Sequence, residues 1–260
     1  MVGSIPRKTA LETFGEAFGW VKRNPVLVVL FFILGVIDAA GEAEPLLSLL
    51  AVVLTLYFGG IAHLFARDEL GGTTPDLGEA SSRVLGRLVS LIGIVLVYVV
   101  LVFVGLLAFI VPGIYLLLRL SLAFPACVID DQNAFESLST SWDVAHGNLL
   151  KLLGISVLAL LAYSAAALFA VAVAVPFGDE ATFFAVVVLA SAVATAILQP
   201  LVELAYARVY LENRDDDEMY HADDPADDGP ASAADDERLG ESTWDEDRSG
   251  HGWDRSDDSR

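Results

Sequence analysis

One apolar stretch, residues 88–129, restricts the folds open to this chain more than any other feature. It contains one charged side chain, Arg119, and one strong break, Pro112-Gly113. Residues 88–111 alone give 24 almost wholly apolar positions, and about 20 are enough for a helix to cross a bilayer. Pro112 cannot continue the hydrogen bonding of a helix, and Gly113 permits a sharp turn. The stretch predicts two antiparallel transmembrane helices joined by a tight turn.

Further apolar segments occur on both sides of this pair, at residues 25–37, 45–66, 149–175 and 181–206. The first is short, and a cleaved signal peptide is the alternative there, although the 24-residue preamble with its own helix signal argues against one. The segments together predict an all-α integral membrane protein with six transmembrane helices, arranged as three antiparallel hairpins.

A polar segment with helical spacing of its apolar residues precedes each predicted hairpin, at residues 9–21, 76–87 and 133–146. Each segment is expected to form an amphipathic helix at the membrane interface. The first begins with Thr9 and Glu12 at the spacing of a capping box. The first and third segments align without gaps, which either a duplication or convergence of interfacial helices explains.

The basic residues predict how the protein is oriented. With the N-terminus inside, the outer loops carry acidic residues and no basic residue. Since Lys and Arg are enriched in cytoplasmic loops, the pattern predicts a multi-pass protein of the cell membrane with both termini in the cytoplasm. The inner basic residues are Arg7, Lys8, Lys22, Arg23, Arg67, Arg83, Arg87, Lys151, Arg208 and Arg214.

The C-terminal part differs in composition from the rest of the chain. Residues 211–260 hold 19 acidic and 5 basic residues, against a net charge of −20 for the whole chain. The sequence predicts a transmembrane domain over 1–212 and a disordered acidic cytoplasmic tail over 213–260, because the tail has too few large apolar residues to form a core. Trp244 and Trp253 are candidate anchors for a protein partner, and a tail that only solvates the protein is the alternative.

Lysine is scarce in this chain, with three residues against 15 basic residues in total. The sequence pI is about 4.3. Exposed carboxylates keep a protein surface hydrated in concentrated salt, so the composition is typical of a halophilic archaeon.

Two pairs of ionisable residues are candidates for interactions within the predicted spans. Arg119 lies six residues after Gly113, about 9 Å along a helix, and Asp38 lies at a similar depth. We therefore expect an intramembrane charge pair between Arg119 and Asp38, with a structural role or as part of an anion site. Glu203 lies near the inner end of the sixth span, so we expect an inner polar site with His63, to which Arg67 and Lys151 are also close in depth.

No motif for catalysis, a cofactor or a metal occurs in the sequence. The four histidines lack the spacing of metal ligands, and the single cysteine, Cys127, excludes an intramolecular disulfide. A phosphate-binding loop and a basic nucleic-acid patch are also absent from the sequence. The expected partners are the lipid bilayer and a protein bound through the acidic tail, and the sequence leaves the oligomeric state open.

A resemblance to known proteins follows from motifs in the second half of the chain. These are Pro112-Gly113-Ile114-Tyr115 through Arg119, then Pro125, Ala134-Phe135-Glu136-Ser137 and Ser141-Trp142. Over roughly residues 9–212 the chain resembles uncharacterised multi-helix membrane proteins of halophilic archaea, which are similar to the membrane domain of some bacterial glycerophosphodiester phosphodiesterases. The resemblance implies a shared membrane fold and no phosphodiesterase activity, because the catalytic domain is missing.

These observations favour a non-enzymatic membrane protein with a scaffold or envelope-maintenance role, which contacts partners through the tail. The alternative is a transporter of a small solute, anion or lipid, with Arg119 at an outer anionic site.

Overall fold

The computed structural model describes residues 6–41, 44–176 and 179–222, and every regular element in these ranges is a helix. The predicted all-α fold is therefore confirmed for this part of the chain. The helices are α1 (Ala10–Arg23), α2 (Pro25–Gly41), α3 (Pro45–Gly71), α4 (Leu77–Ala108), α5 (Ile110–Leu120), α6 (Ala123–Ile129), α7 (Ala134–Ala145), α8 (Leu149–Ala174) and α9 (Glu180–Ala222).

Five helical stretches among the described residues are long and apolar enough to cross a membrane. They are α3, α4, α5 with α6 over Ile110–Ile129, α8, and α9 over Glu180–Arg214. Helices α1 and α2, which meet at an angle of 94°, pass the same test only as a pair. The number of helices that could span is thus five, or six if the bent pair is one span.

The outward faces of these helices are apolar. On α4, Val89 is 83% exposed, and on α8, Leu150 is 86% exposed. Large apolar patches of this kind are rare on water-soluble monomers, because exposing apolar surface to water is unfavourable. Further large apolar side chains that point outward from α4 and α8 are Leu96, Val99, Val100, Phe103, Leu160, Leu161 and Leu168.

Helix α1 begins with the predicted capping box. Thr9 Oγ1 accepts a hydrogen bond from the amide of Glu12, whose carboxylate accepts one from the amide of Thr9. The helix ends at Asn24, where the chain turns into α2. The Asn24 side chain donates to Glu69 Oε1 over 2.6 Å, and Arg23 forms an ion pair with the same carboxylate. The bend between α1 and α2 is therefore fixed to the last turn of α3.

The region between α3 and α5 corrects two expectations. Residues 76–87 do not form a separate interfacial helix, because α4 runs unbroken through them for 32 residues from its N-cap, Asp76. The break after α4 lies at Phe109, which is extended, and not at Pro112-Gly113. Pro112 sits in the first turn of α5, where a missing amide hydrogen costs no helical bond. Gly113 instead allows close packing, since a Cβ there would lie 2.8 Å from the amide nitrogen of Leu106.

Helix α7 packs against α4, α5 and α6. Its first turn has a capping box formed by Asn133 and Glu136. Buried Ser141 completes the hydrogen bonds at the break between α5 and α6, because its hydroxyl donates to the Arg119 carbonyl over 2.8 Å and accepts from the Leu122 amide over 3.1 Å. Helix α7, which was predicted as an interfacial helix, thus packs directly against the neighbouring span formed by α5 and α6.

Helix α9 continues beyond the predicted domain boundary at residue 212. Asn213 is buried, and Arg214 forms an ion pair with Asp130 over 2.8 Å, so these residues belong to the packed body. The chain divides into two units, 1–219 and 220–260. Only the end of α9 is described in the second unit, and the predicted tail from residue 223 onward lies outside the described residues.

Candidate functional site: a carboxylate and an imidazole inside the helix bundle

The predicted inner polar site brings together α3 and α9. His63 on α3 is 2% exposed, and its Nε2 lies 3.4 Å from Glu203 Oε2 on α9. The other ring nitrogen, Nδ1, lies 3.2 Å from the backbone carbonyl oxygen of Glu203. A carbonyl oxygen only accepts hydrogen bonds, so in this ring orientation Nδ1 carries a proton and donates it. The expected proximity of His63 and Glu203 is present in the structure.

A chain of hydrogen bonds extends the site to α8. Glu203 Oε1 accepts from Gln199 Nε2 over 2.8 Å, and Gln199 Oε1 accepts from the Tyr163 hydroxyl over 2.6 Å. Since a glutamine amide has one donating and one accepting end, Tyr163 and Glu203 together fix its orientation. Gln199 therefore occupies Oε1, and the other carboxylate oxygen, Oε2, faces His63.

A cavity of about 130 Å³ adjoins the pair. It has room for a few water molecules, each of which takes about 30 Å³ in the liquid. The side chain of Glu203 is 19% exposed. The lining residues come from α3, α4, α6 and α9, and they are Thr55, Leu56, Gly59, Gly60, His63, Leu91, Phe124 and Glu203.

Glu203 has no ion pair with a lysine or arginine within residues 6–41, 44–176 and 179–214. The two basic residues expected near its depth are engaged elsewhere. Arg67 pairs with Asp68, and Lys151 pairs with Glu212. The site thus combines one carboxylate and one imidazole, together with uncharged hydrogen-bonding groups.

Arg119 does not form the predicted pair with Asp38. Its Nε donates to the Tyr115 hydroxyl over 2.8 Å, and its Nη1 donates to the backbone carbonyl of Trp142. The guanidinium carbon also lies 4.5 Å from the centroid of the Trp142 ring. Asp38 is exposed on α2, which packs on α1 and α3, whereas α5 packs on α4, α7 and α8. The prediction was wrong because equal depth does not make two helices neighbours.

A cluster of buried and partly buried charges, which the sequence did not reveal, joins the N-terminal segment to α8 and α9. Arg208 is 1% exposed and donates to Glu16 over 2.8 Å and to Glu212 over 3.0 Å. Only the i, i+4 spacing of Arg208 and Glu212 on one helix was a local signal. We call this group the ionic cluster, and it consists of Lys8, Glu16, Lys151, Arg208 and Glu212.

A second charged contact lies in the loop between α6 and α7. Asp131 has a positive φ of 62°, and its carboxylate pairs with Arg87 on α4 over 2.5 Å. The hydrogen bond and charge of the Arg87 guanidinium hold the pKa of Asp131 below its ordinary value. This contact fixes the loop to α4 in a mostly exposed setting.

The candidate partner anchors and possible metal-binding groups were the remaining sites to locate in the structure. Trp244 and Trp253, the candidate partner anchors, lie outside the described residues. Among the described residues there is no group of three or more histidine, cysteine, aspartate or glutamate side chains that could hold a metal ion.

The long apolar helices and their apolar outer faces define the class, a helical protein with several helices that could span a membrane. The model of a family described as a domain of unknown function (DUF7847) matches residues 78–212, more than half of the 260 residues, and the chain belongs to this family. No curated protein and no solved structure matches it. The matched segment contains Arg119 and Glu203, and His63 lies outside it.

Proposed function

We propose that this chain is a non-enzymatic, multi-pass protein of the cell membrane that transports a small solute through the site formed by Glu203 and His63. The observation that supports the proposal is a carboxylate that adjoins a cavity in the helix bundle and has no basic ion-pair partner among the described residues. Ionisable groups within membrane spans are costly, and they commonly mark the path of a substrate or ion. The cavity volume favours a small polar solute over a lipid.

The proposed arrangement in the membrane is six spans in three antiparallel hairpins with both termini in the cytoplasm. The one-sided distribution of basic residues supports this orientation. A transporter that used Arg119 to bind an anion is not favoured, because the guanidinium is enclosed by Tyr115 and Trp142. The scaffold hypothesis rests on the tail, which from residue 223 onward lies outside the described residues, so the geometry gives it no support.

The transport proposal can be tested with the full-length protein in liposomes. Stopped-flow light scattering would follow osmotic swelling in a panel of small polyols, amino acids, ammonium salts and organic acids. We expect at least one solute to enter faster than in protein-free liposomes, and the Glu203→Gln variant to lose that advantage. Glu180→Gln is the matched control, since it makes the same change at an exposed position of α9. If no solute crosses faster than in protein-free liposomes, the transport proposal is wrong.

A further inference from the structure

We infer that Glu203 and His63 together hold one transferable proton, and that this proton is the ion coupled to transport. The first part rests on the geometry of the two side chains alone. The second part rests on the proposed transport function. The ligand assigned to the site is thus a proton, placed at either Glu203 Oε2 or His63 Nε2.

The positions open to this proton follow from the hydrogen bonds. His63 Nδ1 is occupied, because it donates to the carbonyl oxygen of Glu203. Glu203 Oε1 is occupied as well, because it accepts from Gln199. The remaining atoms are Nε2 and Oε2, which lie 3.4 Å apart. Each has a lone pair when it is unprotonated, so the two atoms repel each other unless one of them carries a proton.

The number of protons follows from the cost of burying charge. With no proton on either atom, Glu203 is a mostly buried carboxylate without a basic ion-pair partner among the described residues. With two protons, His63 is an imidazolium beside a neutral carboxyl group. An isolated buried charge is strongly unfavourable, whereas one proton leaves either a neutral pair or an imidazolium beside a carboxylate. The pair is therefore most stable with one proton.

Apart from His63 and Glu203, the described residues that line the cavity do not ionise. From α4 and α6, Leu91 and Phe124 line the cavity, and neither ionises. Two tyrosines interact electrostatically with Glu203, and a tyrosine side chain is ordinarily neutral near pH 7. They are Tyr163 on α8 and Tyr206 on α9.

A proton held at this position can leave and return through the cavity. Water molecules in a space of about 130 Å³ would accept it from Oε2 or Nε2 and carry it onward. Proton relays of this kind use carboxylates and imidazoles inside membrane bundles. When the proton leaves, the site gains one negative charge, so release changes the affinity for any charged or polar solute.

The proton site is tested by infrared difference spectroscopy of the purified full-length protein across a pH titration. Near neutral pH, where ordinary carboxyl groups are ionised, we expect the carbonyl band of one protonated carboxyl group, present in the wild type and in Glu180→Gln and absent in Glu203→Gln. His63→Gln is expected to shift the pH midpoint of the band, because the carboxyl group then titrates without its partner. A band that survives Glu203→Gln, or a midpoint unchanged by His63→Gln, overturns the inference.

Isotope labelling makes the test independent of whether a variant folds. In the wild-type protein, ¹³C-labelled glutamate should move the band, and ¹³C-labelled aspartate should leave it in place. The opposite result overturns the inference without deciding whether the protein transports. Coupling is tested separately by repeating the swelling assay with an imposed pH gradient. We expect at least a two-fold change in the rate of solute entry, and a rate indifferent to the gradient would overturn the coupling while leaving transport intact.

Discussion

Arg119 shows how a single side chain can satisfy a buried charge without a carboxylate. The guanidinium lies against both the Tyr115 and the Trp142 ring and donates to the Tyr115 hydroxyl and the Trp142 carbonyl. Hydrogen bonds from a charged donor and a cation–π contact are each individually stabilising. Arg119 therefore links α5 to α7 through contacts that depend on the shape of the guanidinium.

We predict that Arg119→Gln destabilises the protein, because glutamine keeps neither the charge nor the contact with both rings. The expected loss in the free energy of unfolding is about 2–4 kcal/mol, from the lost charged hydrogen bonds and cation–π contacts. Thermal unfolding in detergent would measure it, with Arg83→Gln as the control at a half-buried position of α4. Equal melting temperatures for the two variants would contradict this role.

At the residue scale, the sequence predicted one of the two proposed pairs. His63 and Glu203 were placed at one depth by counting residues along two spans, and those two spans are in contact. Asp38 and Arg119 were matched by the same reasoning, but Arg119 donates to Tyr115 on α5 and to Trp142 on α7 instead. The depth of a residue in the membrane can be counted along the sequence, whereas the neighbours of a helix depend on tertiary packing. The ionic cluster could not be predicted because its residues come from helices whose packing the sequence does not reveal.

Helices α2 and α9 approach each other closely at one glycine. A Cβ on Gly35 would lie 2.8 Å from the Cα of Ala192 and 3.1 Å from its carbonyl oxygen. These are backbone atoms, so the contact cannot be relieved by rotating a side chain. Small residues at such positions let helix backbones pack tightly in membrane proteins.

We predict that Gly35→Ala lowers stability, because the added methyl group forces α2 and α9 apart. Overpacking of this type costs about 1–3 kcal/mol. Gly15→Ala is the matched control, since Gly15 is also helical and a Cβ there meets nothing within 4 Å. The control should gain up to about 1 kcal/mol from the higher helix propensity of alanine. Denaturation of both variants by a detergent titration would measure the difference, and parallel stabilisation would contradict the close contact.

The contact between Asp131 and Arg87 predicts a pH-dependent contribution at the α6–α7 loop. The pKa of Asp131 is lowered in the folded protein, so its contribution is present above the ordinary aspartate pKa. It is lost as the pH falls through the lowered folded value. Because the pair is largely exposed, we expect less than about 1 kcal/mol.

Asp131→Asn should remove this contribution while keeping a residue that tolerates positive φ. Comparing unfolding of the variant and the wild type at neutral pH and in acid would check it. The two proteins should differ near neutral pH and converge in acid. A difference that grows on acidification would contradict the assignment.

At the scale of helices, hydropathy located the spans, and turn chemistry located their ends less well. The apolar runs predicted α3, α8 and the spanning part of α9 because each is long and uninterrupted. Pro112 was taken as the break, but a proline in the first turn of a helix is compatible with that helix. Residues 76–87 were expected to form a separate helix because they are polar, although they continue α4 without a stop signal. Polarity marks exposure and does not by itself end a helix.

The ionic cluster concerns the whole molecule, because it connects the N-terminal segment with α1, α8 and α9. We predict that Glu212→Gln is strongly destabilising, since it leaves Lys151 and Arg208 buried with one carboxylate fewer. Removing one partner from a buried ion pair costs about 3–5 kcal/mol. Asp131→Asn, which breaks an exposed pair, is the control and should cost much less. Thermal unfolding at low and high KCl would measure both, and the Glu212 effect should persist in high salt because buried pairs are poorly screened. Equal losses for the two variants would contradict the importance of the cluster.

The hydrogen bond between the Lys8 amide and Glu212 joins residues that are 204 positions apart in the sequence. This separation has a consequence for biosynthesis. The ribosome releases Lys8, Glu16 and Lys151 long before Glu212. The N-terminal segment therefore lacks its partners on α9 while the intervening helices are being inserted. The cluster forms only after the last long helix has entered the bundle. A chain that is cut before residue 212 lacks the carboxylate that pairs with Lys151 and Arg208, so it cannot complete the ionic cluster.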